Sequence, residues 1–434
     1  MRTALLTDRY ELTMLTSALR DGTAGRPCVF EVFARRLPEG RRYGVVAGTG
    51  RLLEAIADFR FSDTQLDWLL ADGVVDEPTV GFLRGYRFTG EIDGYREGEL
   101  YFPNSPILTV SGTFAEAVLL ETLVLSVLNH DCAIASAAAR MVSAAGGRPL
   151  IEMGSRRAHE QAAVAAGRAA YLAGFASTSN LAASARYGVP GAGTAAHAFT
   201  LLHDGEAAAF AAQIEALGVG TTLLVDTYDT LAGIDTAVRV AGTELGAIRI
   251  DSGDLAQMAH QARQRLDAAG AATTRIVVSG DLDEFGIAAL AAAPVDAYGV
   301  GTSVVTGSGA PTAGLIYKLV EVDGRPVEKR SEQKATTGGR KTALRAHDSD
   351  GTATPEVVTP GPLTPCAVTP GPVTTAGDGE RPLQIPLWRG GAAVEGLPSL
   401  HDSREHLQRV LAAMPADGLR LSRGEPAIPT RIVP

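Results

Sequence analysis

The chain has 434 residues, 45% of them hydrophobic and 20% charged, and a net charge of −10. That length exceeds what one ordinary core organises and predicts two or three globular domains. The acidic balance excludes a general nucleic-acid surface, and no run of 18 apolar residues predicts a membrane-spanning helix.

The N-terminal stretch MRTALLTDRYELTM carries Asp8, Arg9 and Glu11 where a secretion signal needs unbroken apolar residues, so a cytoplasmic location is expected. Cys28, Cys132 and Cys366 form no CxxC pair, which argues against a disulfide framework or a structural zinc site. A helix is predicted over about 5–19, a strand over 28–37, a helix over 50–59 and short strands between 90 and 110. Residues 1–125 therefore read as a mixed α+β domain.

From 126 to 330 the pattern becomes regular. Apolar strands PLIEM (149–153), TTLLVD (221–226), AIRID (247–251), RIVVSG (275–280) and VDAYGVG (295–301) alternate with helical stretches such as 159–174 and 254–270. Near-continuous apolar strands separated by helices predict a parallel sheet, here an α/β barrel whose strand ends would share one face. Residues 331–434 are expected to return to the N-terminal domain. Within them, 350–385 is rich in Pro, Gly and Thr and reads as loops or edge strands, followed by a helix over 403–414.

The strand ends carry the chemistry. In AIRIDSGDLAQ, Arg249 can grip a phosphate in two-point fashion and Asp251 can accept from ribose hydroxyls. Asp254 is equally readable as a helix cap. Gly280, Gly299 and Gly301 allow backbone to approach a ligand closely, as in a phosphate cradle. Arg156 and Arg157 stand where a helix begins, an unfavourable place for positive charge unless an anion binds there. Asp226 and Asp229 are either caps or, for one of them, a water-mediated magnesium ligand. His197, placed by pattern on an apolar strand of small residues, reads as structural on residue type alone.

Taken in order, LLTDRYELTM, FARRLPEGRRYGVVAG, LLETLVLSVLNH, EMGSRRAHE, STSNLAA, GTAAHAFTL, LLVDTYDT, RIDSGD, SGDLDE, YGVGTSVVT and YKLVEVDGRPVEKRSEQK resemble the nicotinate phosphoribosyltransferase family from residue 5 to about 345. The resemblance implies an irregular α/β barrel of the type II phosphoribosyltransferase kind, a homodimer with shared sites, nicotinate and phosphoribosyl pyrophosphate as substrates, ATP as co-substrate and Mg2+ as cofactor. It makes His197 the histidine that ATP phosphorylates, reversing the structural reading. It places Tyr10 on the pyridine ring from a neighbouring subunit, and Arg249 and Asp251 around ribose and phosphates. Gly280, Gly301 and Thr302 fall at the phosphate cradle, Arg156 beside the anionic substrates, and Asp226 near base and metal. Arg35, Arg36, Lys318 and Lys334 fall near pyrophosphate or ATP. Met153 departs from the family, standing where a ring-sandwiching phenylalanine is common; a thioether also contacts ring faces. Ser179 replaces the aspartate of the related nicotinamide-using enzyme, which favours nicotinate.

Overall fold

The computed structural model describes residues 3–329, 337–361 and 381–433. They fall into two compact units, one formed by Met1–Ala133 with Thr312–Pro434 and the other by Ile134–Pro311.

The first unit is built on a seven-stranded antiparallel sheet. Its order runs Arg325–Pro326, Leu315–Val322, Pro27–Ala34, Leu108–Thr113, Glu91–Tyr95, Gln384–Arg389 and Ala392–Ala393. The strand Pro27–Ala34 buries seven of its eight residues, which explains its mostly apolar sequence; its one charged residue, Glu31, is paired with Lys341 Nζ at 2.7 Å. Phe30 on that strand stacks on Tyr317 at 4.8 Å. The expected N-terminal helix spans Arg9–Asp21 and the next spans Thr49–Ala57. Two further helices, Asp63–Ala71 and Glu77–Arg84, start at Ser62 and Asp76, whose side chains accept from backbone N–H groups three residues on.

A four-stranded sheet in this unit has the order Arg381–Pro382, Lys341–Arg345, Glu356–Pro360, Thr430–Ile432. Glu356–Pro360 lies inside that sheet, against the expectation of a loop or edge strand. Its proline stands at the final position, opposite Lys341, so the ladder loses only a terminal donor. Residues 362–380 of the Pro-rich stretch, including Cys366, lie outside the described residues. Cys28 and Cys132 are free and buried. The C-terminal helix spans Leu400–Ala412, longer at its start than the pattern predicts because Ser399 and Asp402 form a capping box.

The second unit holds a six-stranded sheet in the order Ser177–Thr178, Leu150–Glu152, Ala297–Val300, Arg275–Val278, Ala247–Ile250, Thr222–Leu224. Every neighbouring pair is parallel. The outermost strands do not pair with each other among the described residues, so the sheet is an open half-barrel of mixed α/β type. Helices such as Glu160–Ala173, Thr230–Ala241 and Leu255–Ala268 follow its strands. Ile248, Ile250, Ile276 and Val278 are essentially inaccessible, as strands covered on both faces require. A buried Arg140–Glu284 pair at 3.0 Å lies within this unit.

The helix Glu121–Ala145 crosses the division between the units. By length and composition it passes for a membrane span, but 72% of its most apolar window is buried within the protein, the condition of a core helix.

Candidate active site

The six parallel strands of the half-barrel run into polar or glycine residues on one edge. Arg249 comes from the strand Ala247–Ile250, between the strands ending at Leu224 and Val278. Its side chain is 13% exposed. Nε donates to Ser279 Oγ at 2.7 Å, Nη1 to Thr194 Oγ1 at 3.0 Å and Nη2 to Asp251 Oδ1 at 2.9 Å. The Ser279 hydroxyl donates in turn to Asp251 Oδ1. This closed triangle fixes the guanidinium plane and leaves one N–H on each terminal nitrogen for an anion.

Asp226, two residues beyond the strand Thr222–Leu224, holds the next turn. Its Oδ2 accepts from the Asp251 N–H and the Ser252 hydroxyl, both at 2.8 Å. Its Oδ1 is buried and has no hydrogen-bond partner. That oxygen lies 3.9 Å from His197 Nε2. The distance exceeds a hydrogen bond, and the other ring nitrogen, Nδ1, sits 3.2 Å from the Thr227 hydroxyl.

His197 is not on a strand. It is the first residue of the short helix His197–Leu201, and the preceding Ala196 is extended. Small residues such as Gly193, Ala195 and Ala196 gave the segment a strand-like pattern, but the chain there makes no ladder. The imidazole is 42% exposed. Asp254 and Asp229 are caps: their side chains accept from Gln257 N–H at 3.1 Å and Ala232 N–H at 2.8 Å.

The glycines earn their positions unevenly. Gly280 has φ +123°, and a Cβ there would stand 2.7 Å from the Asp251 carbonyl oxygen. At Gly299 a Cβ would meet Met153 Sδ at 2.8 Å, so this glycine makes room for the thioether. Gly301 lies against the Met153 carbonyl, and Thr302 begins the next short helix. Ser179 is exposed just past the strand Ser177–Thr178. Arg156 and Arg157 are exposed in the turn after Glu152.

In the first unit, Tyr10, Glu121 and Lys318 come together. Partial burial and the neighbouring Glu121 push the Tyr10 hydroxyl well above its usual range. Burial raises the Glu121 carboxyl, with Lys318 and the Tyr10 hydrogen bond opposing. Lys318 Nζ is 4.0 Å from Glu121 Oε1. Arg35 and Arg36 directly follow the strand Pro27–Ala34, and Arg36 is exposed. Lys334 lies outside the described residues. An open apolar pocket of about 480 Å³ in this unit, lined by residues including Leu53, Phe88, Trp388 and Leu397, contains none of the predicted site residues.

Comparison with known proteins gives 65% identity over 438 residues to nicotinate phosphoribosyltransferase pncB1 of Mycobacterium tuberculosis, covering 99% of this chain and 95% of that protein. The chain belongs to the nicotinate phosphoribosyltransferase family. Residues 5–129 match the nicotinate phosphoribosyltransferase N-terminal domain. The human nicotinate phosphoribosyltransferase is 32% identical, covering 96% of this chain and 92% of its own length. The crystal structure of human nicotinic acid phosphoribosyltransferase superimposes with a TM-score of 0.84 at 29% identity, over 98% of this chain and 97% of that one. The half-barrel with its mixed companion unit is thus the type II phosphoribosyltransferase fold of this family. A nicotinate-nucleotide pyrophosphorylase from Pyrococcus furiosus, at 24% identity and a TM-score of 0.76, shares that fold.

Residue-type reasoning missed three members of the site: Ser279, Thr194 and Thr227. Small hydroxyl side chains carry no pattern of their own, and only their hydrogen bonds to Arg249 and His197 single them out.

Proposed function

We propose that this chain joins nicotinate to phosphoribosyl pyrophosphate, giving nicotinate mononucleotide and pyrophosphate, and couples the step to ATP hydrolysis through a phosphohistidine at His197. That would place it among the ATP-coupled ligases. The observation that carries the reading is the Arg249–Asp251–Ser279 triangle at the strand ends, beside the close-packed turn at Gly280. The names of the mycobacterial and human relatives support the transfer of phosphoribose to nicotinate.

In the transfer, the ring nitrogen of nicotinate attacks C1 of the ribose as the C1–oxygen bond to pyrophosphate breaks. The demands on the protein are positioning and charge stabilisation. Arg249, with its two free N–H groups, takes a phosphate, and Asp251 takes ribose hydroxyls. Gly280, Gly301 and Thr302 bring backbone close to phosphate oxygens. Met153 and neutral Ser179 flank the ring, and Arg156 draws the nicotinate carboxylate. Arg35, Arg36, Lys318 and Lys334 supply positive charge for pyrophosphate or ATP. Asp226, with one buried oxygen lacking a partner, fits a magnesium ion held through water, since magnesium keeps most of its waters and needs few carboxylates. When bound, the ion would neutralise pyrophosphate charge.

For the ATP step, the His197 Nδ1 lone pair attacks the γ-phosphorus. The N–P bond forms as the bond to the β-phosphate oxygen breaks and ADP leaves. The Nε2 proton faces Asp226, which offsets the positive charge on the ring. Water later cleaves the N–P bond to release phosphate. Tyr10, 45% exposed, is proposed to reach the ring across a homodimer interface. We place the protein in the cytoplasm, as a first step of NAD salvage.

Incubation with γ-labelled ATP tests this. Label should appear on the protein, be acid-labile and base-stable, and vanish in His197→Ala, which should keep slow ATP-independent synthesis. Acid-stable label, or label persisting in the variant, would refute the phosphohistidine.

A further inference from the structure

The strand Leu150–Glu152 ends in a carboxyl group that is completely buried. One oxygen accepts from the Gly154 N–H and the other from the Thr178 hydroxyl. Thr178 Oγ1 accepts in turn from the Asn180 N–H at 3.0 Å. The Asn180 side-chain amide donates back to Ser155 Oγ at 3.0 Å, and the Ser179 N–H donates to the Glu152 carbonyl at 2.8 Å. The two segments 152–155 and 178–180 are therefore laced together on both sides of one carboxyl group. The residues in the middle of each segment are Met153 and Ser179.

Packing leaves this lacing no slack. A Cβ at Gly167 would meet Thr178 Oγ1 at 3.1 Å and Glu152 Oε2 at 3.6 Å, so the helix Glu160–Ala173 lies directly on the carboxyl. A Cβ at Gly154 would stand 2.2 Å from Val305 Cγ1 and 2.9 Å from the Gly301 carbonyl oxygen. The Met153 turn is thus pressed onto the Gly301 turn as well. Burial pushes the Glu152 carboxyl above its ordinary range, while the hydrogen bonds from Thr178 and Gly154 pull it the other way. An acid kept in such a place by neutral donors alone costs stability relative to an apolar side chain. A role in geometry explains its presence.

We propose that Glu152 is a positioning residue for pyridine recognition: with Thr178 as its relay, it sets the separation of Met153 and Ser179 and so the fit of nicotinate. The proposal rests on the pyridine pocket assigned above. Glu152 touches no substrate; it acts through the two residues that do.

The test measures nicotinate KM, phosphoribosyl pyrophosphate KM and kcat for Glu152→Gln, Thr178→Val and Thr178→Ser. Glutamine offers one acceptor where the carboxylate offers two, and valine leaves the Asn180 N–H and a Glu152 oxygen unpaired. Each should raise nicotinate KM about tenfold, leaving phosphoribosyl pyrophosphate KM unchanged and kcat at saturation within about threefold. Thr178→Ser keeps the hydroxyl and should restore the wild-type nicotinate KM. An unchanged nicotinate KM in Thr178→Val, a uniform fall in kcat instead, or a Thr178→Ser chain as impaired as Thr178→Val would overturn the proposal. Should Glu152→Gln fail to fold, the two Thr178 variants decide. Wild-type enzyme that makes no product from nicotinate would instead overturn the proposed function.

Discussion

Gly280→Ala strikes the site through the backbone alone. Gly280 sits at φ +123°, a conformation that costs a side-chain-bearing residue about 1–3 kcal/mol. The added methyl would stand 2.7 Å from the Asp251 carbonyl oxygen, where real Cβ contacts do not fall below 3.0 Å. The Asp251 segment must retreat by some tenths of an ångström. That segment also donates its N–H to Asp226 Oδ2 at 2.8 Å and receives Arg249 Nη2 at 2.9 Å. Retreat therefore misaligns carboxylate and guanidinium together. At about 2–4 °C per kcal/mol for a unit of this size, Tm should fall by roughly 2–12 °C. Misplacement by a fraction of an ångström should cost about ten- to a hundredfold in kcat/KM for phosphoribosyl pyrophosphate. Gly270→Ala is the control. It also has positive φ, +77°, but its nearest neighbour is the Thr243 methyl at 3.6 Å, beyond the helix Leu255–Ala268. It should lower Tm and spare kcat/KM. Scanning fluorimetry and steady-state kinetics read both quantities. Wild-type Tm and kcat/KM in Gly280→Ala, or an equal kinetic loss in Gly270→Ala, would refute the assignment of the turn.

Ser179→Asp should raise nicotinate KM by roughly tenfold or more through like-charge repulsion and narrow the preference over nicotinamide; competition between the two pyridines measures it, and an unchanged ratio counts against Ser179 as a discriminator. Tyr10→Ala and Arg249→Ala chains, each nearly inactive, should recover part of the activity when mixed if sites are shared between subunits; confirmed hybrids without activity would exclude that. Glu99→Gln probes the buried network of Glu99 with Arg345, Arg381 and His406, at 2.6, 2.7 and 2.9 Å. Burial raises the Glu99 carboxyl, but Arg381, Arg345 and His406 overcome it and hold the group well below the usual carboxylate range. Its stabilisation is therefore complete above the unfolded value of about 4.3 and fades as pH falls below that. The variant should lose about 3–5 kcal/mol at pH 7, and the gap to wild type should shrink toward pH 3. A gap in urea midpoints that stays constant with pH would contradict the charge assignment.

The central strands were legible because both their faces are covered. AIRI and RIVV are apolar without alternation, and they appear as neighbours in the parallel sheet. Arg249 stood out for the complementary reason, as a charge inside such a run. The helices Asp63–Ala71 and Glu77–Arg84 escaped notice: they are short, and Trp68 on the first is exposed rather than buried. The strand Ser177–Thr178 has only two residues, too few for any periodicity to register. His197 was placed on a strand because small apolar residues precede it, whereas the backbone there is extended without a paired neighbour and then turns into a helix.

The sequence by itself determined the parallel-sheet class, the order of the strand ends and the identity of Arg249, Asp251 and Asp226 as residues of interest, since apolar runs and charges placed within them are local signals; His197 drew attention only through the family resemblance. Asp254 and Asp229 were ambiguous in sequence, because a cap and a ligand use the same side chain; their bonds to Gln257 and Ala232 made them caps. Tertiary structure alone joined Ser279 to Asp251 across two strands, set the unpaired oxygen of Asp226 toward His197, and buried Glu152 between Gly154 and Thr178. The contacts from Asp226 to His197, from Ser279 to Asp251 and from Glu152 to Thr178 link residues 26 to 29 positions apart. No local pattern encodes such pairs; the register of parallel strands brings Ser279 to Asp251 and Glu152 to Thr178, and the loop before the helix His197–Leu201 brings His197 to Asp226.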